Sequence, residues 1–185
     1  EQFTEKPNFV EVAWLLIFGR LPNREELTEF SALLTVNELL HEGLKHQYAH
    51  IPLDAPPMAI LSATLSNLAC YHQQFLALED QESFVEAAAR LISKVRTIAA
   101  YSYRRSNGLP FIYPDPHLRY CANFLHMMFS LPYKQYIVTP EIEDALNLIL
   151  ILHADHEQNC STSTVRMVGS ARANLFASTA AGVCA

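Results

Sequence analysis

The stretch ALNLILIL, residues 145–152, is almost continuously apolar and belongs to a segment that opens with Thr139 and Pro140. Proline is favoured in the first turn of a helix, because the backbone N–H that it lacks would have no helical partner there. We therefore predict a helix from Pro140 to about Leu152. Since this helix has hardly any polar face, we expect it to be buried on all sides.

Helix start and stop signals recur along the rest of the chain. Asn8 with Glu11, and Asn23 with Glu26, each form the pattern of a capping box, and Gly19 is placed to end the first of these helices. Further helices are predicted over residues 38–48, 57–70, 82–107 and 116–129. The β-branched residues are too scattered for strands. The predicted fold class is therefore all-α, a multi-layered helical domain.

Composition excludes several classes of function. The chain has 185 residues, of which 50% are hydrophobic, and a net charge of -6 with only 13 lysines and arginines. Such a charge argues against a nucleic-acid surface, which needs a cationic field. No apolar run reaches the roughly 18 residues that cross a bilayer, so we expect no membrane partner. The basic–aromatic cluster at residues 101–105 is interpreted as a solvated helix end, with arginine at the negative pole of the helix dipole.

The four cysteines lie far apart and form no C-x-x-C pair. This pattern favours a reducing, intracellular compartment, in which each thiol acts as a small core residue. We therefore expect a cytoplasmic protein.

One segment carries an unusual concentration of polar chemistry. The run HADHEQNC, residues 153–160, directly follows the apolar helix. Asp155 with Gln158 has the form of a capping box, which predicts that a new helix starts at about His156. An imidazole on the first turn of a helix lies beside free backbone N–H groups and the positive end of the dipole. This arrangement suits an anionic ligand such as a carboxylate.

Other interpretations of the histidines remain open at this stage. His153 can simply end the buried helix, and His156 can be structural. A metal site formed by His153, His156, Glu157 and Cys160 has acceptable spacing, but no second ligand cluster supports it and we expect no metal. His126 lies in a helical run, HMMF, that is more typical of a helix core than of a ligand set.

The run LNLILILHADHEQNCSTSTVR, residues 146–166, closely resembles the large domain of citrate synthases of the bacterial type. The resemblance extends from end to end of the chain, through PMA at 57–59, PFIYP at 110–114, ANFLHMM at 122–128 and SARAN at 170–174. Family members are more than twice as long. The resemblance therefore implies that residues 1–185 are an internal fragment of the large helical domain, incomplete at both ends, with the small domain and the C-terminal part absent.

The resemblance implies the condensation of acetyl-CoA with oxaloacetate, which gives citrate and CoA and needs no metal or redox cofactor. His156 matches the histidine of the D-H-E run that contacts oxaloacetate in the family. The family's proton-abstracting aspartate and its enol-stabilising histidine have no match within the chain. The resemblance therefore implies that this fragment alone contains no catalytic residue and is inactive. The 2-methylcitrate synthases share the fold, but their residues in the run that matches HADHEQN commonly differ, which favours citrate.

The resemblance also bears on regulation and assembly. Hexameric bacterial members bind NADH at a separate allosteric site, and Tyr71, Arg90 and Lys94 match that site, whereas Val36 and Asn37 stand in place of its basic pair. The family forms homodimers, and the hexamers are trimers of dimers. We expect a two-fold contact between the small-residue helix 57–70 and the helices of residues 158–184. Another departure is Pro56, which precedes Pro57 where many members have histidine.

Two functions of other classes remain as alternatives. The chain could be a non-catalytic helical interaction module, in which the histidine-rich run merely ends a core helix. A metal-dependent hydrolase is the third hypothesis, and it requires a metal site at His153, His156, Glu157 and Cys160.

Overall fold

A computed structural model describes residues 7–77 and 80–185 of the chain. Within these ranges the regular elements are helical, apart from one isolated bridge between Leu131 and Lys134. The prediction of an all-α fold is therefore confirmed. The helices are α1 (Phe9–Phe18), α2 (Arg24–Val36), α3 (Glu42–Tyr48), α4 (Pro57–Tyr71), α5 (Gln81–Ser106), α6 (Tyr120–Phe129), α7 (Pro140–Leu152), α8 (Cys160–Ser170) and α9 (Leu175–Val183), with a 3₁₀ turn at Gln73–Phe75.

The first two helices begin and end where local sequence signals place them. The side chains of Asn8 and Asn23 each accept a hydrogen bond from the third residue of their helix, and Glu11 and Glu26 bond back to the cap backbone. Gly19 ends α1 with a positive φ of 72°, a left-handed conformation that glycine adopts without the clash a Cβ would cause. Both capping boxes are therefore confirmed.

The longest helix, α5, is the centre of the fold. It packs against α2, α4, α6 and α9. On one side lies a large apolar cluster that includes Leu44, Leu65 and Phe176, and on the other a smaller one that includes Trp14 and Phe30. Burial of these side chains on two faces of one helix supplies most of the core.

Polar side chains of α5 hold the connection between α2 and α3. The Nη2 of Arg96 donates to a Glu38 carboxylate oxygen at 2.7 Å, the hydroxyl of Thr97 donates to the Glu38 carbonyl at 2.7 Å, and Lys94 donates to the Leu39 carbonyl. These bonds take residues 38–40 out of helical geometry. The helix predicted over residues 38–48 therefore begins only at Glu42, and that expected boundary is wrong.

The end of α5 is also less solvated than predicted. Arg104 is fully buried, and its guanidinium donates to the carbonyls of Pro110, Met127, Met128 and Ser130. The interpretation of residues 101–105 as a solvated helix end is thus wrong for this arginine. It satisfies the free carbonyls at the C-terminus of a neighbouring helix, α6, instead of those of its own helix.

The predicted start of α6 is four residues too early. Asp115 does not cap a helix at residue 116, because its carboxylate accepts from the His117 backbone N–H within a turn and its own N–H donates to Asn123. The helix then begins at Tyr120.

Helix α7 is less covered than its sequence predicts. It packs against α1 and α6, and none of its residues is buried in the described structure. The side chains of Leu148, Ile149 and Leu152 are 55%, 53% and 61% exposed. Within the part of the chain that the structure describes, the expectation that this helix is buried on all sides is therefore wrong. The two helices that contact α7 cover only part of its circumference.

The small-residue helix α4 has one covered and one open face. Ser62 donates from its hydroxyl to the Ala180 carbonyl at 3.0 Å, so α4 and α9 approach closely. The tightly packed partner that the small residues predict is thus α9 of the same chain. On the side of α4 away from its buried residues Ile60, Thr64 and Leu68, the side chains of Ala59, Ala63 and Ser66 are exposed. Among the described helices, none combines the length and apolar character that a bilayer crossing requires.

Candidate functional site

The histidine-rich run forms the connection between α7 and α8. Glu157 has a φ of 59°, a left-handed conformation that interrupts helical geometry, and its N–H donates to the Asp155 carboxylate at 3.0 Å. Helix α8 begins only at Cys160, where the Asn159 side chain accepts from the Thr162 N–H at 2.7 Å. The predicted helix start at His156 is therefore wrong, because Asn159 and not Asp155 is the cap.

Two imidazoles lie side by side at the end of α7. The ring centroids of His153 and His156 are 5.5 Å apart, and both side chains are exposed. The Nδ1 of His153 bonds the Ile149 carbonyl at 2.8 Å, and the Nε2 of His156 bonds the Leu152 carbonyl at 3.0 Å. Since a carbonyl oxygen only accepts, these ring nitrogens carry the protons. His156 is left with Nδ1 to contact a ligand.

This geometry changes the argument for an anion site. His156 lies before the first turn of α8, so the free N–H groups of that turn do not adjoin it as the sequence predicted. What remains is a pair of exposed imidazoles beside the apolar outer face of α7. Within the described ranges, no three histidine, cysteine or carboxylate side chains converge in a way that would hold a metal ion.

The structure brings Tyr71, Arg90 and Lys94 into one neighbourhood with two further histidines. The ring of Tyr71 lies 4.5 Å from that of His41, measured between centroids. Arg90 and Lys94 are one turn apart on α5, and both charges act on His72. Arg90 pairs with Glu86 at 2.9 Å, and Lys94 donates to the Leu39 carbonyl.

The pKa values of His72 and Lys94 are lowered because positive charges are close together in a partly buried site. Burial, helped by the charges of Lys94, Arg90 and His41, lowers the pKa of His72 to about 4. Burial and the neighbouring Arg90 lower the pKa of Lys94 to about 8. Both groups disfavour their charged forms there, and an anion bound beside them would favour the charged forms and so raise both pKa values.

Val36 and Asn37, which stand in place of the basic pair of the allosteric site, supply no positive charge. Val36 is 76% exposed and apolar. Asn37 is buried and donates from its side-chain amide to the Leu33 carbonyl at 2.9 Å, which closes the end of α2.

Sequence reasoning missed two sets of residues. Glu38, Arg96 and Asn123 form a buried polar network, in which the carboxylate accepts from both other side chains. His41 and His72 join the cluster around Lys94. The only signal for the network was a polar or charged residue within each of three predicted helices, and the pairing of Arg96 with Glu38 across 58 residues leaves no local pattern.

The described site and fold define a class, namely an all-α protein with an exposed histidine-rich connection between α7 and α8. The profile of the family described as "Citrate synthase, C-terminal domain" matches residues 1–185. The chain belongs to the citrate synthase family.

Individual relatives agree with this assignment. The chain is 45% identical over 183 residues to "Citrate synthase 1" of Mycobacterium tuberculosis, and 46% identical over 179 residues to "Citrate synthase" of Corynebacterium glutamicum. These matches include 99% and 97% of the chain, which spans 42% and 41% of the relatives' lengths.

Solved structures show the same fold. Citrate synthase from Pyrobaculum aerophilum matches with a TM-score of 0.87 and 32% identity, over 97% of this chain and 45% of that one. A ternary complex of citrate synthase from Thermoplasma acidophilum with carboxymethyl coenzyme A and oxaloacetate matches with a TM-score of 0.87 over 96% of this chain and 45% of that one. At 23% identity, the second likeness is one of fold.

The lowered pKa of His72 predicts how stability depends on pH. The folded state lowers the pKa of this imidazole to about 4, whereas in the unfolded chain it takes up a proton near the ordinary histidine pKa of 6.5. The unfolding free energy is therefore unaffected by His72 above pH 6.5. As the pH falls from 6.5 toward 4, only the unfolded state takes up this proton, so the folded state becomes less stable. Urea unfolding at pH 7, 6 and 5 should show a smaller loss of unfolding free energy for His72→Gln than for the wild type.

The control for this measurement is His50→Gln, which replaces an exposed histidine. It should retain the wild-type slope of unfolding free energy against pH. Equal slopes for the wild type and the His72 variant would contradict the assignment.

Proposed function

We propose that the protein condenses acetyl-CoA with oxaloacetate to give citrate and CoA, and that residues 1–185 form part of the large helical domain of that enzyme. The observation that carries the proposal is the match of the family profile to the whole chain, supported by relatives named citrate synthase at 45% and 46% identity. The names of these relatives favour citrate over 2-methylcitrate as the product. They also favour an enzyme over a helical interaction module.

His156 is proposed to contact oxaloacetate. As the new carbon–carbon bond forms, the carbonyl oxygen of oxaloacetate gains negative charge, and a positioned N–H donor stabilises it. In the described structure the Nε2–H of His156 donates a hydrogen bond to the Leu152 carbonyl. To donate to oxaloacetate, the ring must either carry a second proton on Nδ1 or release that carbonyl. The bond to Leu152 would fix the ring plane in the first case.

The other chemical steps are proposed to use groups outside residues 1–185. No residue of the chain matches the family's carboxylate that takes a proton from the acetyl methyl group, or its imidazole that stabilises the enol. We therefore propose that a polypeptide of these residues alone is inactive. Acetyl-CoA is a substrate, and no cofactor is proposed. The four free thiols favour a cytoplasmic location, but only Cys121 is buried, so the expectation that each thiol is a core residue is wrong for Cys70, Cys160 and Cys184.

Replacing His156 tests the central role. In the full-length enzyme, His156→Ala should lower kcat by about a hundredfold to a thousandfold, because one preorganised donor to the developing oxyanion is lost. The KM for oxaloacetate should rise as well, since the same donor touches the bound substrate. CoA release followed with a thiol reagent measures both parameters.

His153→Ala is the matched control, because it removes the neighbouring imidazole from the same turn. Its effect should appear mainly in thermal stability, since the His153 ring bonds the Ile149 carbonyl at the end of α7. An intact rate for the His156 variant, together with a folded but inactive His153 variant, would show that the wrong histidine was chosen.

We also propose a homodimer, or a trimer of such dimers, with a two-fold contact that includes α4, α8 and α9. The support is the open face of α4, where the exposed side chains of Ala59, Ala63 and Ser66 permit close approach of another helix. Ala173, Ala177 and Ala181 are partly exposed in and before α9. The covered face of α4, toward α9 of the same chain, is not part of this proposed contact.

Tyr71, Arg90 and Lys94 are proposed to bind NADH. The crowded positive charge around His72 supports an anion site. In a fluorescence titration with NADH, Arg90→Gln should weaken binding about tenfold, because a charge-assisted hydrogen bond is lost. Glu86→Gln should tighten binding, since it frees Arg90 from its present partner. Absence of NADH binding to the wild-type protein would overturn this part of the proposal.

A further inference from the structure

The two imidazoles at the end of α7 each keep one ring nitrogen for a ligand. The Nδ1–H of His153 donates to the Ile149 carbonyl at 2.8 Å, and the Nε2–H of His156 donates to the Leu152 carbonyl at 3.0 Å. The lone pairs therefore lie on Nε2 of His153 and on Nδ1 of His156. Both side chains are exposed, so a ligand can reach this imidazole pair from solvent.

The spacing of the two rings matches that of two imidazoles on one metal ion. Zinc binds a ring nitrogen at about 2.0 Å in tetrahedral geometry, which puts the centroids of two coordinating imidazoles roughly 5 Å apart. The ring centroids of His153 and His156 are 5.5 Å apart, and their planes are inclined by 31°. The end of α7 therefore holds the rings at a separation that one ion can span.

The hydrogen bonds of the imidazole pair also suit a metal ion. A histidine that binds a metal almost always donates its other ring N–H to a carbonyl or a carboxylate, which fixes the tautomer and the orientation of the ring. Both members of the pair already have such an acceptor in the last turn of α7. The structure thus holds both rings in the tautomers that metal binding requires.

The pair supplies two ligands and not four. Among residues 7–77 and 80–185, no third histidine, cysteine or carboxylate joins it, and Cys160 lies beyond the Asn159 cap on α8. The four-residue metal site whose spacing the sequence allows is therefore not formed. Structural zinc sites are closed by four protein ligands, so an ion held by the imidazole pair alone keeps positions for water and exchanges with solvent.

We propose that the imidazole pair of His153 and His156 binds Zn²⁺ and that the bound ion excludes oxaloacetate. Imidazole nitrogen suits zinc, whereas magnesium and calcium prefer oxygen ligands. The second part rests on the proposed function, in which His156 contacts oxaloacetate. Because Nδ1 is the ring nitrogen left for either ligand, the two ligands cannot occupy it together. Zinc is thus an inhibitor of the proposed reaction and not its cofactor.

Isosteric variants separate the metal ligands from the hydrogen bonds to α7. An asparagine amide can replace the Nδ1–H of a histidine, and a glutamine amide can replace its Nε2–H, so His153→Asn and His156→Gln keep the donor and lose the lone pair. Isothermal titration of the full-length protein with zinc chloride should show a saturable site that both variants weaken. Since loss of an outer-shell partner alone costs about tenfold in metal affinity, loss of a ligand should cost at least that much.

Cys160→Ser and His50→Gln are the matched controls, because zinc also binds exposed thiols and single exposed histidines. Both variants should retain the wild-type affinity for zinc at this site. Unchanged zinc affinity in either His153→Asn or His156→Gln would overturn the proposal, and so would an equal loss in Cys160→Ser.

Steady-state kinetics test the exclusion of oxaloacetate. Zinc should raise the apparent KM for oxaloacetate of the full-length wild type without changing kcat, whereas the same concentration of magnesium should have no effect. Loss of the thioester absorbance is the appropriate signal, because zinc binds the thiol of released CoA. His153→Asn should keep the zinc-free KM of the wild type and should need at least tenfold more zinc for the same inhibition.

The metal site and the proposed function fail in different ways. Zinc binding that depends on both histidines but does not compete with oxaloacetate would contradict the exclusion, and with it the proposed contact between His156 and oxaloacetate. Absence of such zinc binding, together with an impaired His156→Ala enzyme, would overturn the metal site and leave the proposed function intact.

Discussion

The buried ion pair between Arg96 and Glu38 connects three parts of the chain that are distant in sequence. Arg96 lies in the middle of α5, Glu38 in the connection between α2 and α3, and the carboxylate also accepts from Asn123 of α6 at 2.9 Å. Both charged residues are at most 5% exposed. A charge this deeply buried is tolerated only when it is paired, so each member requires the others to be in place. Burial raises the pKa of Glu38, although the Arg96 charge opposes this.

Much of the local geometry follows from this network. It holds residues 38–40 against α5 and so sets where α3 begins. It also places the Leu39 carbonyl where Lys94 reaches it, next to the cationic cluster with Tyr71 and Arg90. On its other side, Arg96 donates to the Tyr120 carbonyl at the start of α6 at 3.0 Å. The histidine-rich connection is positioned differently, by the end of α7 and the Asn159 cap of α8.

The parts of the fold that the sequence predicted are those set by neighbouring residues. The capping boxes of Asn8 and Asn23 and the stop at Gly19 depend on contacts within four residues, and all three were predicted correctly. The predictions failed where distant polar groups compete with local ones. Glu38 lies outside the helix predicted for it, because Arg96 and Thr97 form hydrogen bonds with it. Arg104 is buried and not solvated, because it donates hydrogen bonds to the carbonyls at the end of α6. For the site, the run at 153–160 was recognisable from sequence, but its cap and the bonds of its imidazoles were not.

A double-mutant cycle between Arg96 and Glu38 tests most directly whether this network organises the fold. The unfolding free energy of the full-length protein would be measured by urea for the wild type, Arg96→Met, Glu38→Gln and the double variant. Each single change leaves a buried charge without its counter-charge, so the two should be coupled by about 2 kcal/mol, with the double variant destabilised by less than the sum of the single variants. Additive effects of the two changes would contradict the account.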